Sequence, residues 1–247
     1  QQEVERTLEI VQPLLNVTEL RIALIDDPTQ VILEVGMGGF NPSADEVRLY
    51  ADSSWPDLET VLRSELLLQL AHEIHHAMRR RAVGYGSSLL EAAVTEGLAD
   101  HFSLEVSEAT ERPWAVALTP AELATWIPEV ESRATGGYDH AAWFFGTNPS
   151  IPRWTGYAVG FELVRAYLDK DPARRASALV GEPATSFVPL TQATLSRDPL
   201  GRRSWRQIRG RLLEGVHPAR TRSLDDLNFA SVGELSWLLR RGRVSSL

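Results

Sequence analysis

The stretch richest in chemistry is His72-Glu73-Ile74-His75-His76, an H-E-x-x-H frame inside an unbroken helical pattern. Residues four apart on an α-helix stand nearly one above the other. His72 and His76 can therefore aim imidazole nitrogens at one ion, while Glu73 sits beside the coordination position left open. Zinc takes a third protein ligand and keeps a fourth place for water, and a carboxylate from a second helix can be that ligand. Glu96, twenty positions past His76, is read as this carboxylate. Asp100, one turn further on, is placed to accept the other N–H of His72 and so fix its tautomer. With six histidines in 247 residues, the bare frame arises by chance in about one chain in a hundred. Acids at both later positions lower that by roughly another factor of a hundred. His75 lies about 60° from His72 around the helix, so a 72/75 pair is conceivable, but a packing role for His75 needs no departure from the standard frame.

These residue types predict metal-assisted hydrolysis with one zinc ion. The metal acidifies water, and Glu73 as general base takes the proton and hands it to the leaving amine. The oxyanion calls for a donor besides the metal. Tyr157 is the first candidate, in the glycine-flanked turn Gly156 to Gly160. His140 in Gly136-Gly137-Tyr138-Asp139-His140 is the second, and His101, which fits better facing away, the third.

The elements that must position these groups are legible in outline. Val4 to Leu15 has helical apolar spacing. Leu20 to Ile25, Val31 to Val35 and Glu46 to Tyr50 read as strands, separated by Asp26-Asp27-Pro28 and by Gly36 to Pro42. Leu58 to Arg80 is a long helix whose last turn, Arg79 to Arg81, puts cations at the negative end of the helix dipole. Ser88 can cap a second helix running to about Val106. These two helices must pack antiparallel to bring Glu96 to the histidines. Thr119-Pro120 with Glu122 forms a capping box that opens a helix to Arg133, and Thr155 to Lys170 is another helix. Gly181 to Arg203, with three prolines, reads as a linker. The expectation is a catalytic domain over residues 1–190 and a basic, mostly helical extension over 191–247 that packs on it, with short helices at Trp205 to Leu213 and Val232 to Arg241.

Ala71 to Arg79, Leu89-Leu90-Glu91-Ala92, Thr95 to Phe102 and Thr155 to Phe161, with a glycine-containing hairpin before the first helix, resemble the DUF2268 group of predicted zinc-dependent proteases over roughly residues 20 to 187. The resemblance implies an α+β, zincin-like (gluzincin) fold, a small N-terminal sheet followed by a mainly helical lobe. It implies His72, His76 and Glu96 as ligands and Glu73 as base. By analogy with thermolysin-like enzymes, an extended peptide would lie along an edge strand within Val31 to Phe40, where Gly36, Gly38 and Gly39 allow close approach.

Composition fits a folded enzyme, with 43% apolar residues and no apolar run long enough to span a membrane. There are no cysteines, which excludes disulfides and thiolate metal sites. The net charge of -8 hides an asymmetry: residues 197–247 carry 11 arginines against 5 acids, and the body is acidic. Arginine's fork suits bidentate pairing with carboxylates, so the tail is expected to clamp onto that body. Phosphate tracking is disfavoured because Glu214, Asp225, Asp226 and Glu234 interrupt the cluster. The expected partner is a peptide or protein substrate, not nucleic acid. A cytoplasmic location is expected, with secretion left open because the chain starts at Gln1 without methionine. The competing functional readings are a zincin-fold binding or regulatory module with weak turnover, and a nucleic-acid-associated regulator acting through the tail.

Overall fold

The acidic first helix, α1 (Gln2–Val11), buries Thr7 and Val11 and leads into a three-stranded sheet of β1 (Arg21–Asp26), β2 (Met37–Ser43) and β3 (Glu46–Ala51). The structure is a computed structural model that describes residues 2–188 apart from 85, 108 and 110. The strand order is β1-β3-β2, with β1 parallel and β2 antiparallel to β3. Along β3 the side chains alternate as a half-buried strand requires: Val47, Leu49 and Ala51 point to the core, Arg48 and Tyr50 away. The buried face shares one apolar core with Leu66, Leu70 and Ile74 of α2 (Leu58–Val83).

The α2 helix starts at Asp57, whose carboxylate accepts the Thr60 N–H, and ends where Gly84 takes φ 83°. Its first two turns are largely exposed, but from Leu68 to Arg79 every residue is buried. It therefore crosses from a solvated rim into the middle of the molecule. Five residues later α3 (Leu89–Glu105) opens with the expected Ser88 cap, completed by Glu91 as a reciprocal capping box. α4 (Pro120–Glu131) opens the same way, with Thr119 and Glu122. A π-helical turn (Ala141–Phe145) and α5 (Thr155–Leu168) follow, then two short 3-10 turns, Ala176–Leu179 and Ala184–Phe187.

α3 is the central helix, wedged between α2 and α5. It crosses α5 where Gly97 meets Gly160: a methyl on Gly97 would strike the Gly160 carbonyl, and one on Gly160 would strike that of Ala93. This backbone-to-backbone approach leaves the flank of α3 that carries Glu96 turned to α2. Antiparallel packing of α2 on α3 shows in the descending order of contacts: His72 reaches Asp100, His76 reaches Glu96, and Arg79 reaches Thr95. The fold is thus α+β, with a small sheet and a mainly helical remainder.

Two readings are corrected. Val31 to Val35 is not a strand. After Ile32, which bridges to Met37, the chain coils so that Val35 and Gly36 donate back to the Ile32 carbonyl. The strand lies on the glycine-rich run instead, because Gly36 at φ 78° reverses the chain and the bare backbone at Gly38 and Gly39 fits where side chains would not. The linker reading fails over Gly181 to Val188. Phe187 is 2% exposed and packs on Tyr167 at 4.5 Å, while Arg79 binds the Val180 and Glu182 carbonyls. The other two arginines at the end of α2 also tie loops down as well as facing the helix dipole. Arg80 holds the Asn41 and Pro42 carbonyls of β2, and Arg81 holds Thr18, Ala44 and Asp45. The expected extension over 191–247, its helices and its arginine cluster lie outside the described residues. Among the described residues, no helix is long and apolar enough to cross a membrane.

Candidate metal centre

The i, i+4 pair on α2 places the His72 and His76 rings edge to face, centroids 4.5 Å apart. Both turn Nε2 toward a single atom, Glu96 Oε2 on α3, at 3.2 Å each. One ligand atom from each of these three residues lies within 4.8 Å of the others, and no other group of three or more potential ligands is found among the described residues. The cluster is nearly closed off: His72 and His76 are each 7% exposed. A carboxylate and two imidazoles at this depth are an N/O donor set that suits zinc.

The two imidazoles and two carboxylates of the cluster shift one another's proton affinities strongly. Burial by itself would raise the Glu96 carboxyl, but His76 and His72 hold it well below the usual carboxylate range. Burial disfavours a charged His72, yet its hydrogen bonds to the Asp100 and Glu96 carboxylates outweigh this and lift that imidazole well above its ordinary value. A cation bound between the three ligands would compete with protons for their lone pairs. His72 Nδ1 meets Asp100 Oδ1 at 3.0 Å, as the spacing predicts, and Asp100 is fully buried. His76 has no counterpart to Asp100: its Nδ1 is buried with no hydrogen-bond partner among the described residues.

Glu73 lies beside the cluster, 4% exposed, and its Oε2 has no hydrogen-bond partner among the described residues. Burial raises its carboxyl pKa, the nearby acids Glu96 and Asp100 add to this, and the two histidines oppose it. Its other oxygen rests against Gly39 of β2, an edge strand of the sheet. A carboxyl with a raised pKa and an unpartnered oxygen beside such a donor set has the chemistry to accept and pass on a proton.

The remaining sequence candidates divide. His75 turns from the cluster into the core, fully buried beside Phe102 at 5.5 Å, with neither ring nitrogen in hydrogen-bond geometry. Burial, with the charges of His76 and Arg79, pushes its pKa well down, and the nearby Ala176 backbone only weakly opposes this. His101 also faces away. It stacks on Phe161, its Nε2 donates to the Phe161 carbonyl at 3.0 Å, and burial brings its pKa down to about 4. Tyr157 does not precede a helix in a turn: it lies in the first turn of α5. Thr155 N–H donates to the Pro152 carbonyl, so the helical path begins before the glycines. Tyr157 meets Phe144 edge-on at 4.9 Å, and Phe144 stacks on His140 at 4.4 Å. His140 pairs through Nδ1 with the Tyr138 hydroxyl at 3.0 Å. Burial depresses its pKa, against the opposing pull of Glu96 and Asp139. The two oxyanion candidates therefore share one aromatic wall.

Trp114 is a residue the sequence reading missed. Its indole N–H donates to both oxygens of Asp100, at 2.9 and 3.1 Å. It sits in an irregular loop fourteen residues past Asp100, where no periodic spacing marks it. The one available signal was that a buried aspartate needs more than a single donor.

An α+β protein carrying a His/His/Glu donor set on two antiparallel helices is the class these features define. Within that class, the chain belongs to the family DUF2268, described as a predicted Zn-dependent protease, whose model matches residues 1–188. No curated protein and no solved structure matches it.

Proposed function

We propose that this protein is a zinc-dependent peptidase of zincin-like architecture. The observation that carries the reading is the convergence of His72 Nε2 and His76 Nε2 on Glu96 Oε2, 3.2 Å each, beside the buried, half-unpartnered carboxylate of Glu73. His72, His76 and Glu96 would hold one zinc ion. When bound, zinc supplies Lewis acidity, polarising a carbonyl and making water a nucleophile near neutral pH.

The chain's own residues do the rest. Glu73 accepts a proton from the attacking water and returns it to the leaving amine nitrogen as the C–N bond breaks. Its raised pKa suits both halves of that transfer. Asp100 keeps His72 in the tautomer that presents Nε2. Tyr157 and His140, on the shared aromatic wall, are the candidates to donate to the oxyanion. β2, passing Glu73 at Gly39, is the edge along which an extended peptide would pair.

The test is metal content and peptide cleavage measured together. The wild-type chain should bind one zinc and hydrolyse members of a proteome-derived peptide library, and lose this on chelation. Glu73→Gln should keep the zinc while turnover falls by about 100-fold or more, the scale of a lost general base. Undiminished turnover in Glu73→Gln, or cleavage indifferent to chelation, would refute the assignment.

A further inference from the structure

We propose that Trp114 is a positioning residue for the metal centre, acting through Asp100 on His72. The inference rests on the zinc-peptidase reading. The geometry is a closed circuit. Trp114 Nε1 donates to both Asp100 oxygens, at 2.9 and 3.1 Å, and Asp100 Oδ1 meets His72 Nδ1 at 3.0 Å. The Arg112 guanidinium stands 4.7 Å from the Trp114 ring centroid and pairs with Glu65 at 2.7 Å. Glu65 is two turns upstream of His72 on α2. The loop after α3 is thus pinned at one end to α2 and at the other to the carboxylate that α3 sends toward α2. Trp114, Arg112 and Asp100 are 4%, 5% and 0% exposed, so water does not compete for these bonds.

The chemistry follows from the kind of donor. An indole nitrogen donates and cannot accept, so Trp114 obliges Asp100 to act as an acceptor at both oxygens. The hydrogen between Asp100 and His72 must then belong to Nδ1, which leaves the Nε2 lone pair free to face Glu96 and His76. A residue without that N–H would leave the Asp100 carboxylate less restrained about its side-chain torsion, and the His72 ring that leans on it less firmly oriented. Trp114 acts through Asp100: it holds in place the carboxylate that fixes which nitrogen His72 offers. His76, whose Nδ1 lacks a partner among the described residues, has no such restraint.

The experiment is a double-mutant cycle read by zinc affinity, using chelator competition on the full chain. Trp114→Phe keeps a large ring and removes the donor. We expect its zinc dissociation constant to rise about tenfold, the lower end of the range for outer-sphere partners of a metal site. In an Asp100→Ala background the same substitution should change the constant less than twofold, because its effect passes through Asp100. A merely structural role would give equal losses in both backgrounds, and that result, or unchanged affinity in Trp114→Phe, overturns the proposal. Should Trp114→Phe fail to fold, the wild-type protein decides. Its assigned Trp114 indole N–H resonance should resist solvent exchange and shift when zinc is added, and an indole signal unmoved by zinc overturns the proposal. A wild-type chain that takes up no zinc refutes the metal centre itself, whereas zinc uptake without coupling refutes only the role of Trp114.

Discussion

Gly39→Ala should disable the reaction while leaving the metal in place. A Cβ built at Gly39 would lie 2.8 Å from Glu73 Cγ and 2.9 Å from Cδ, with the carboxylate oxygen Oε1 closer still. Comfortable carbon–carbon separation is about 3.5 to 4.0 Å, so something must yield by roughly 0.6 to 1 Å. The strand cannot easily do so, because Gly39 is paired with Leu49 of β3. Glu73 is the mobile partner, being the far end of a side chain whose Oε2 is bound to nothing among the described residues. A displacement of about 1 Å at a reacting group can cost about 100-fold in rate, equivalent to about 2.7 kcal/mol of barrier. The ligands are spared, because the added methyl meets Glu73 first. The assay is turnover of a cleavable library peptide alongside metal analysis, with Gly137→Ala as control, since a Cβ there meets nothing within 4 Å. Wild-type turnover in Gly39→Ala would refute the placement of Glu73 against β2. Loss of zinc in step with activity would show that the strain reached the ligands instead.

Three further outcomes are expected. His76→Ala should abolish stoichiometric zinc, whereas His75→Leu should retain it with stability unchanged or slightly higher, since neither buried His75 nitrogen has a hydrogen-bond partner in good geometry among the described residues; metal analysis and thermal melts check both. Gly160→Ala should force α3 and α5 apart at their backbone crossing and lower stability by about 1 to 3 kcal/mol or more, seen as a reduced denaturant midpoint. Glu91 and Glu122 have carboxyl pKa values lowered chiefly by the backbone N–H groups that they accept at the starts of α3 and α4. Their contribution is fully present above the ordinary carboxylate range and drains away as pH falls through the lowered folded values. The stability gap between wild type and Glu91→Gln should therefore close on acidification, and a gap independent of pH would remove the carboxylates from the account.

Sequence periodicity alone determined the helical register that puts His72 and His76 on one face, since four residues advance an α-helix by little more than a turn. Local sequence also determined the Ser88 cap of α3 and the Thr119–Glu122 capping box of α4, because each is satisfied within a single turn. Asp100 followed from the same local arithmetic once Glu96 was placed. What failed depends on contacts made by residues far apart in the chain. Gly36 to Pro42 looks like a loop by composition, yet it forms β2 because Gly38 and Gly39 let the backbone lie against the Gln30 carbonyl and Glu73. Gly181 to Val188 looks like a linker, yet Arg79, a hundred residues earlier, binds the Val180 and Glu182 carbonyls from within the core. Trp114 is silent in the sequence because a loop has no period, and only the folded chain brings its N–H to Asp100. Tertiary structure decided which buried polar groups have partners, since a hydrogen bond between distant residues forms only where packing brings donor and acceptor together.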